Sequence, residues 1–139
     1  MRIKVVYESK KHTKKVAEAI AKRMGVKAEA LNEVQNLDKT DLLFLGFGIY
    51  GGGPKKELEE FANREELKSV KKVVLFTTSC KGQDQTASYR EKLKGLGIPV
   101  SDQVFAGKGR FLFLNWKQPN QKTIEDGVKF ACKVRKRGI

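Results

Sequence analysis

The sequence predicts a three-layer α/β sandwich, a five-stranded parallel sheet with helices on both faces, formed as one domain over residues 1–139. Two observations carry that reading. Short apolar runs rich in β-branched residues alternate along the chain with longer stretches whose apolar residues recur every three or four positions. Strict alternation of strand and helix calls for parallel strands joined by right-handed crossovers. The order 2-1-3-4-5 is a common solution for such a sheet.

The elements follow in order. Ile3 to Tyr7 is a short apolar run suited to a strand buried on both faces. Thr13 can cap the helix after it, whose stripe is Val16, Ala17, Ile20, Ala21 and Met24. Gly25 closes that helix in a left-handed turn. Val26 to Ala30 reads as a weaker edge strand, and Leu31 to Thr40 as a polar connection with one helical turn at most. Asp41 to Phe47 is the most apolar strand and takes a central place. Leu58, Phe61 and Ala62 mark a short helix, with Pro54 suited to its first position. Val73 to Thr77 is the next buried strand. Thr86, Tyr89, Leu93 and Leu96 mark a helix closed by Gly97. Val100 to Ala106 reads as the last strand, interrupted or extended by Gly107 to Trp116. Thr123, with Asp126 three residues on, caps a final helix that turns Ile124, Val128 and Ala131 inward.

A hydrophobic fraction of 40% and a charged fraction of 32% belong to a chain that buries a core, not to a disordered one. No apolar run approaches the roughly 18 residues that span a bilayer. The start, Met1 to Val6, is too short and too charged for a signal peptide. The expectation is a cytoplasmic protein with no membrane contact. Cys80 and Cys132 form neither a disulfide framework nor a metal-ligand pattern, and a lone His12 argues against zinc. The net charge of +13 is unevenly spread: residues 1–25 hold eight basic and two acidic side chains, residues 108–139 nine and two, and the stretch between twelve of each. In the order above the first and last helices share one face of the sheet, so that face should be strongly basic. Such a face suits an acidic partner, or simply aids solubility.

Ligands of an open α/β sheet bind beyond the carboxyl ends of the strands, near the point where strand order reverses. That places three loops in view. Ser9-Lys10-Lys11-His12-Thr13 joins a strand to a helix N-terminus, where free N–H groups, the helix dipole, two hydroxyls and lysines suit a phosphate; otherwise it is a solvated basic loop. Gly48-Ile49-Tyr50-Gly51-Gly52 offers an aromatic face for a planar ring and glycines that let a carbonyl flip; otherwise it is a tight turn. Thr77-Thr78-Ser79-Cys80 is polar and suited to the hydrogen-bonding edge of a heterocycle. Cys80 lacks a nearby second cysteine or a base, which argues against a catalytic thiol. Gly107 to Trp116 has the aromatic and basic character used in binding nucleic acid, but a segment packed on the last strand is the simpler account, so nucleic acid is disfavoured.

These loops resemble those of the flavodoxin family in its short, single-domain form. The similarity lies in Val5-Val6-Tyr7-Glu8-Ser9 with Thr13 to Ile20, in Asp41 to Gly52, and in Gly107 to Phe111 with Asn115, Pro119 and Asn120. The resemblance implies a flavodoxin-like fold, a non-covalent FMN and electron transfer. It implies that Ser9 and Thr13 hold the phosphate, that Tyr50 and the adjacent glycines lie against the flavin ring, and that Thr77, Thr78 and Ser79 line its other side. Two features depart from the family. Its phosphate loop usually reads Ser-x-Thr-Gly-x-Thr, whereas this loop is one residue shorter and carries Lys11 where the glycine stands. Flavodoxins that shuttle electrons are acidic, whereas this chain is basic, which points to an acidic redox partner.

The leading reading is therefore an FMN-binding electron-transfer protein, a carrier more than an enzyme in its own right. A flavin-dependent quinone-type reductase of the same fold is the second. A flavin-free relative that binds an acidic partner or nucleic acid through its basic face is the third.

Overall fold

The computed structural model describes residues 2–8, 11–34, 36–37, 39–49, 56–79, 87–108 and 121–137. Five parallel strands form one sheet: β1 (Ile3–Tyr7), β2 (Ala28–Ala30), β3 (Leu42–Ile49), β4 (Lys72–Ser79) and β5 (Phe105–Lys108), in the order β2-β1-β3-β4-β5. Four α-helices connect or follow them: α1 (Lys11–Met24), α2 (Lys56–Ala62), α3 (Ala87–Gly95) and α4 (Gln121–Arg137). A short 3-10 helix, Glu65–Ser69, leads into β4.

Side chains alternate across β3 and β4 and so feed two cores. Leu43, Leu45 and Phe47 face Leu58, Phe61, Tyr89 and Leu93, which belong to α2 and α3. Leu42 and Phe44 face Val16 and Ile20 of α1 and Ala131 of α4. Burial on both sides is why β3 reads as an unbroken apolar run. Gly46 interrupts that run because the Phe76 ring of β4 occupies the space above it: a methyl carbon there would overlap Cε2 and Cζ of the ring and lie 2.9 Å from Cδ2. Gly25 and Gly97 take the left-handed conformation expected of them, at φ 75° and 82°.

Several boundaries differ from expectation. β2 begins at Ala28 because the Val26 N–H donates to the Ala21 carbonyl at 2.9 Å, completing the end of α1 before the chain enters the sheet. The last strand begins at Phe105. Val100 makes an isolated bridge to Val73, and the Ser101 side chain then accepts the Gln103 N–H at 3.0 Å, turning the chain away before it rejoins β4. Thr13 and Thr123 stand inside the first turns of α1 and α4 rather than before them, because those helices reach back to Lys11 and Gln121. β3 and β4 each run two residues further than expected, since Gly48-Ile49 and Thr78-Ser79 pair with one another.

The polar connection before β3 holds apolar anchors. Leu31, Val34 and Leu37 are buried, and the next segment clamps them. Arg64 donates to the Val34 carbonyl at 3.0 Å, and Glu66 accepts the Leu37 N–H at 3.2 Å. Arg64 and Glu66 also bond each other at 2.6 Å. Among the described residues, no helix is long and apolar enough to cross a membrane.

Candidate functional site

The register of the strands builds a step at the carboxyl edge of the sheet. β1 ends with Tyr7 level with Gly46, and the Glu8 N–H makes one more bond, 2.8 Å to the Gly46 carbonyl. β3 and β4 continue past that level, pairing Phe47 with Thr77, Gly48 with Thr78 and Ile49 with Ser79. β5 extends the shelf, with Gly107 beside Thr78. The chain leaving β1 enters α1 on one face, whereas the helix after β3, α2, packs on the other. Between β1 and β3 the strand order reverses, the place where an open α/β sheet holds its ligands.

Two hydroxyls border this edge. Thr13 lies fully buried in the first turn of α1. That turn holds no acidic side chain, and Lys14 and Lys15 are exposed beside it. Thr77 is also fully buried, and its Oγ1 has no hydrogen-bond partner among the described residues. A buried hydroxyl of this kind costs free energy unless something bonds it.

A model of the flavodoxin domain matches residues 4–121. The chain belongs to the flavodoxin family. Solved structures share its fold at low identity. A flavodoxin from the domain Archaea is 22% identical with a TM-score of 0.70, covering 97% of this chain and 99% of its own. Oxidised Flavodoxin 2 from Bacillus cereus is 18% identical with a TM-score of 0.66, covering 99% of each chain. A short-chain flavodoxin associated with a non-canonical PDU bacterial microcompartment is 18% identical with a TM-score of 0.68, again covering 99% of each. The curated protein sequences contain no match.

Within this chain, the expected loop residues are only partly brought together. Gly48 and Ile49 lie side by side with Thr78 and Ser79 at the shelf. Lys11, His12 and Thr13 form the first turn of α1. Ser9, Lys10, Tyr50, Gly51 and Gly52 lie outside the described residues, as do Cys80 and Trp116. Cys132 is half-buried, as a helix residue at the core margin should be, and accepts a bond from Arg23 Nε at 3.4 Å.

One residue at the edge received no role from sequence: Glu8. It is 3% exposed at the end of β1. With Leu31, Glu57, Phe61 and Arg64 it lines a hollow of about 370 Å³ on the α2 side. The available signal was a carboxylate placed directly after the apolar run Val5-Val6-Tyr7, where burial is expected. Behind the shelf, Phe47 meets Tyr89 edge to face, with centroids 5.4 Å apart. The Tyr89 hydroxyl donates to the Leu58 carbonyl at 2.7 Å and so ties α3 to α2. Burial raises the Tyr89 pKa well above the ordinary phenol value, with the nearby Glu59 charge adding to the rise.

Proposed function

We propose that this flavodoxin binds FMN non-covalently at the carboxyl ends of β1, β3 and β4 and carries electrons between partner proteins. The observation that carries the reading is the step itself: paired ends of β3 and β4 rising past β1 at the reversal of strand order, with the Thr77 hydroxyl buried at that level and without a hydrogen-bond partner among the described residues. Membership of the family over residues 4–121 supports it.

The bound flavin would supply one- or two-electron redox chemistry. The chain's own part is to bind and orient it. Ser9, Lys10, Lys11, His12 and Thr13, at the start of α1, would take the phosphate through N–H groups, hydroxyls and the helix dipole. Lysines there would replace by charge part of what a glycine cradle does by close approach. Gly48, Ile49, Tyr50, Gly51 and Gly52 would lie along one side of the ring. Thr77, Thr78 and Ser79 would hydrogen-bond its polar edge, and the low dielectric of the core behind them would keep those bonds strong.

The test is the visible spectrum of purified protein incubated with excess FMN and freed of unbound ligand. A retained, shifted flavin band near one equivalent is expected, with Thr77→Val weakening binding by about fivefold, the worth of one hydrogen bond. Absence of any retained band would overturn the assignment.

A further inference from the structure

The two basic ends of the chain meet in one groove. Gly127 of α4 packs beside Val16 of α1, and Cys132 of α4 beside Arg23, so the two helices run in the same direction on one face of the sheet. Their outer seam is a hollow of about 540 Å³ that continues into a second of about 520 Å³. Both are lined by Arg23, Val128 and Lys129.

The floor and the rims differ in chemistry. Ile124, Val128 and Cys132 are half-buried and stand four residues apart, a single ridge along α4. Lys22 and Arg23 stand exposed on one rim, and Lys129, Lys133 and Lys136 on the other. Among the described residues, Glu125 is the acidic side chain bordering the groove. Ion pairs between described residues use Lys4, Lys56, Arg64, Lys68, Lys71 and Lys94, none of which lines the groove.

We propose that this groove docks an acidic amphipathic helix presented by a partner protein. The fit rests on three features. A ridge with four-residue spacing accepts the ridges of another helix into its flanking groove. From Ile124 to Lys136 the seam runs about 18 Å, or about three helical turns. An incoming helix with aliphatic residues on one face and Asp or Glu on its flanks would bury the first on the floor and pair the second with both rims. The phosphates of a nucleic acid would meet the lysines of the rims but leave the aliphatic floor uncovered. The proposal is independent of flavin binding, because none of these residues belongs to the shelf.

A fluorescein-labelled peptide of about 14 residues, with Leu on one helical face and Glu on the flanks, is titrated against the full chain by anisotropy. A scrambled peptide of the same composition, a short DNA duplex and phosphatidylserine vesicles are run in parallel. The amphipathic peptide should bind best and weaken as salt rises. The exposed double substitution Lys129→Glu/Lys133→Glu should weaken it at least tenfold without altering the circular dichroism spectrum, and amide shifts on titration should map to α1 and α4. Failure of the peptide to bind, equal binding of the scrambled peptide, preference for DNA or vesicles, or indifference to the charge reversal would each overturn the proposal.

Discussion

Replacing Gly46 with alanine puts one methyl group into space that the Phe76 ring already fills. The new carbon would overlap two ring carbons and lie 2.9 Å from a third, where carbon atoms ordinarily rest about 3.5–4.0 Å apart. The ring cannot swing aside, because Phe76 is 0% exposed and belongs to the core that α1 and α4 cover, which is packed to crystalline density. Overpacking of this kind costs about 1–3 kcal/mol. Loss of the glycine's extra chain entropy returns about 0.5–1 kcal/mol, since Gly46 lies in ordinary strand geometry that alanine adopts freely. With overlap this deep the upper half of that cost applies, so the expected net loss is about 1–2.5 kcal/mol, or a fall in Tm of about 3–9 °C for a chain of this size. Urea unfolding followed by circular dichroism measures it. Phe76→Leu should relieve the clash, so the double variant should show a coupling of about 1 kcal/mol relative to the sum of the singles. A Gly46→Ala protein as stable as the parent, or strict additivity with Phe76→Leu, would refute the steric argument.

The remaining expectations concern the supports of the site. Tyr89→Phe removes the bond to the Leu58 carbonyl and should cost about 1–2 kcal/mol by denaturant titration. In the parent, Tyr89 should stay protonated in alkaline difference spectra through the pH range in which a free tyrosine ionises, because its folded pKa is raised by burial. Glu66 is held below its ordinary carboxyl value of 4.5 first by Arg64 and then by the Leu37 N–H. Its clamp therefore stabilises the fold fully above that value and is lost as pH falls through the lower folded value. Glu66→Gln should flatten the dependence of Tm on pH across that acidic window, and an unchanged slope would show that the clamp contributes nothing.

What the sequence by itself determined was the sequence of elements and the location of charge. β1, β3 and β4 stand out because burial on both faces demands uniform apolar runs, and α1 because its apolar stripe follows the period of the helix. The concentration of basic residues at the two ends is likewise written in composition. Boundaries depended on partners the sequence does not name. Val26 has the residue type of a strand but its N–H closes α1, and Val100 to Val104 have strand character although Ser101 turns the chain out of the ladder. Val34 and Leu37 sit in a polar stretch, and their burial needs Arg64 and Glu66 from across the fold.

Tertiary structure alone decided the rest. The need for glycine at position 46 comes from a ring 30 positions further on, at Phe76. Glu8 became part of an edge hollow through contact with the chain after β2 and with α2. The groove exists because strand order places α1 and α4 on the same face. Local pattern reports how far a segment can bury itself, whereas these features arise from distant segments competing for the same space, and only the packed chain settles that competition.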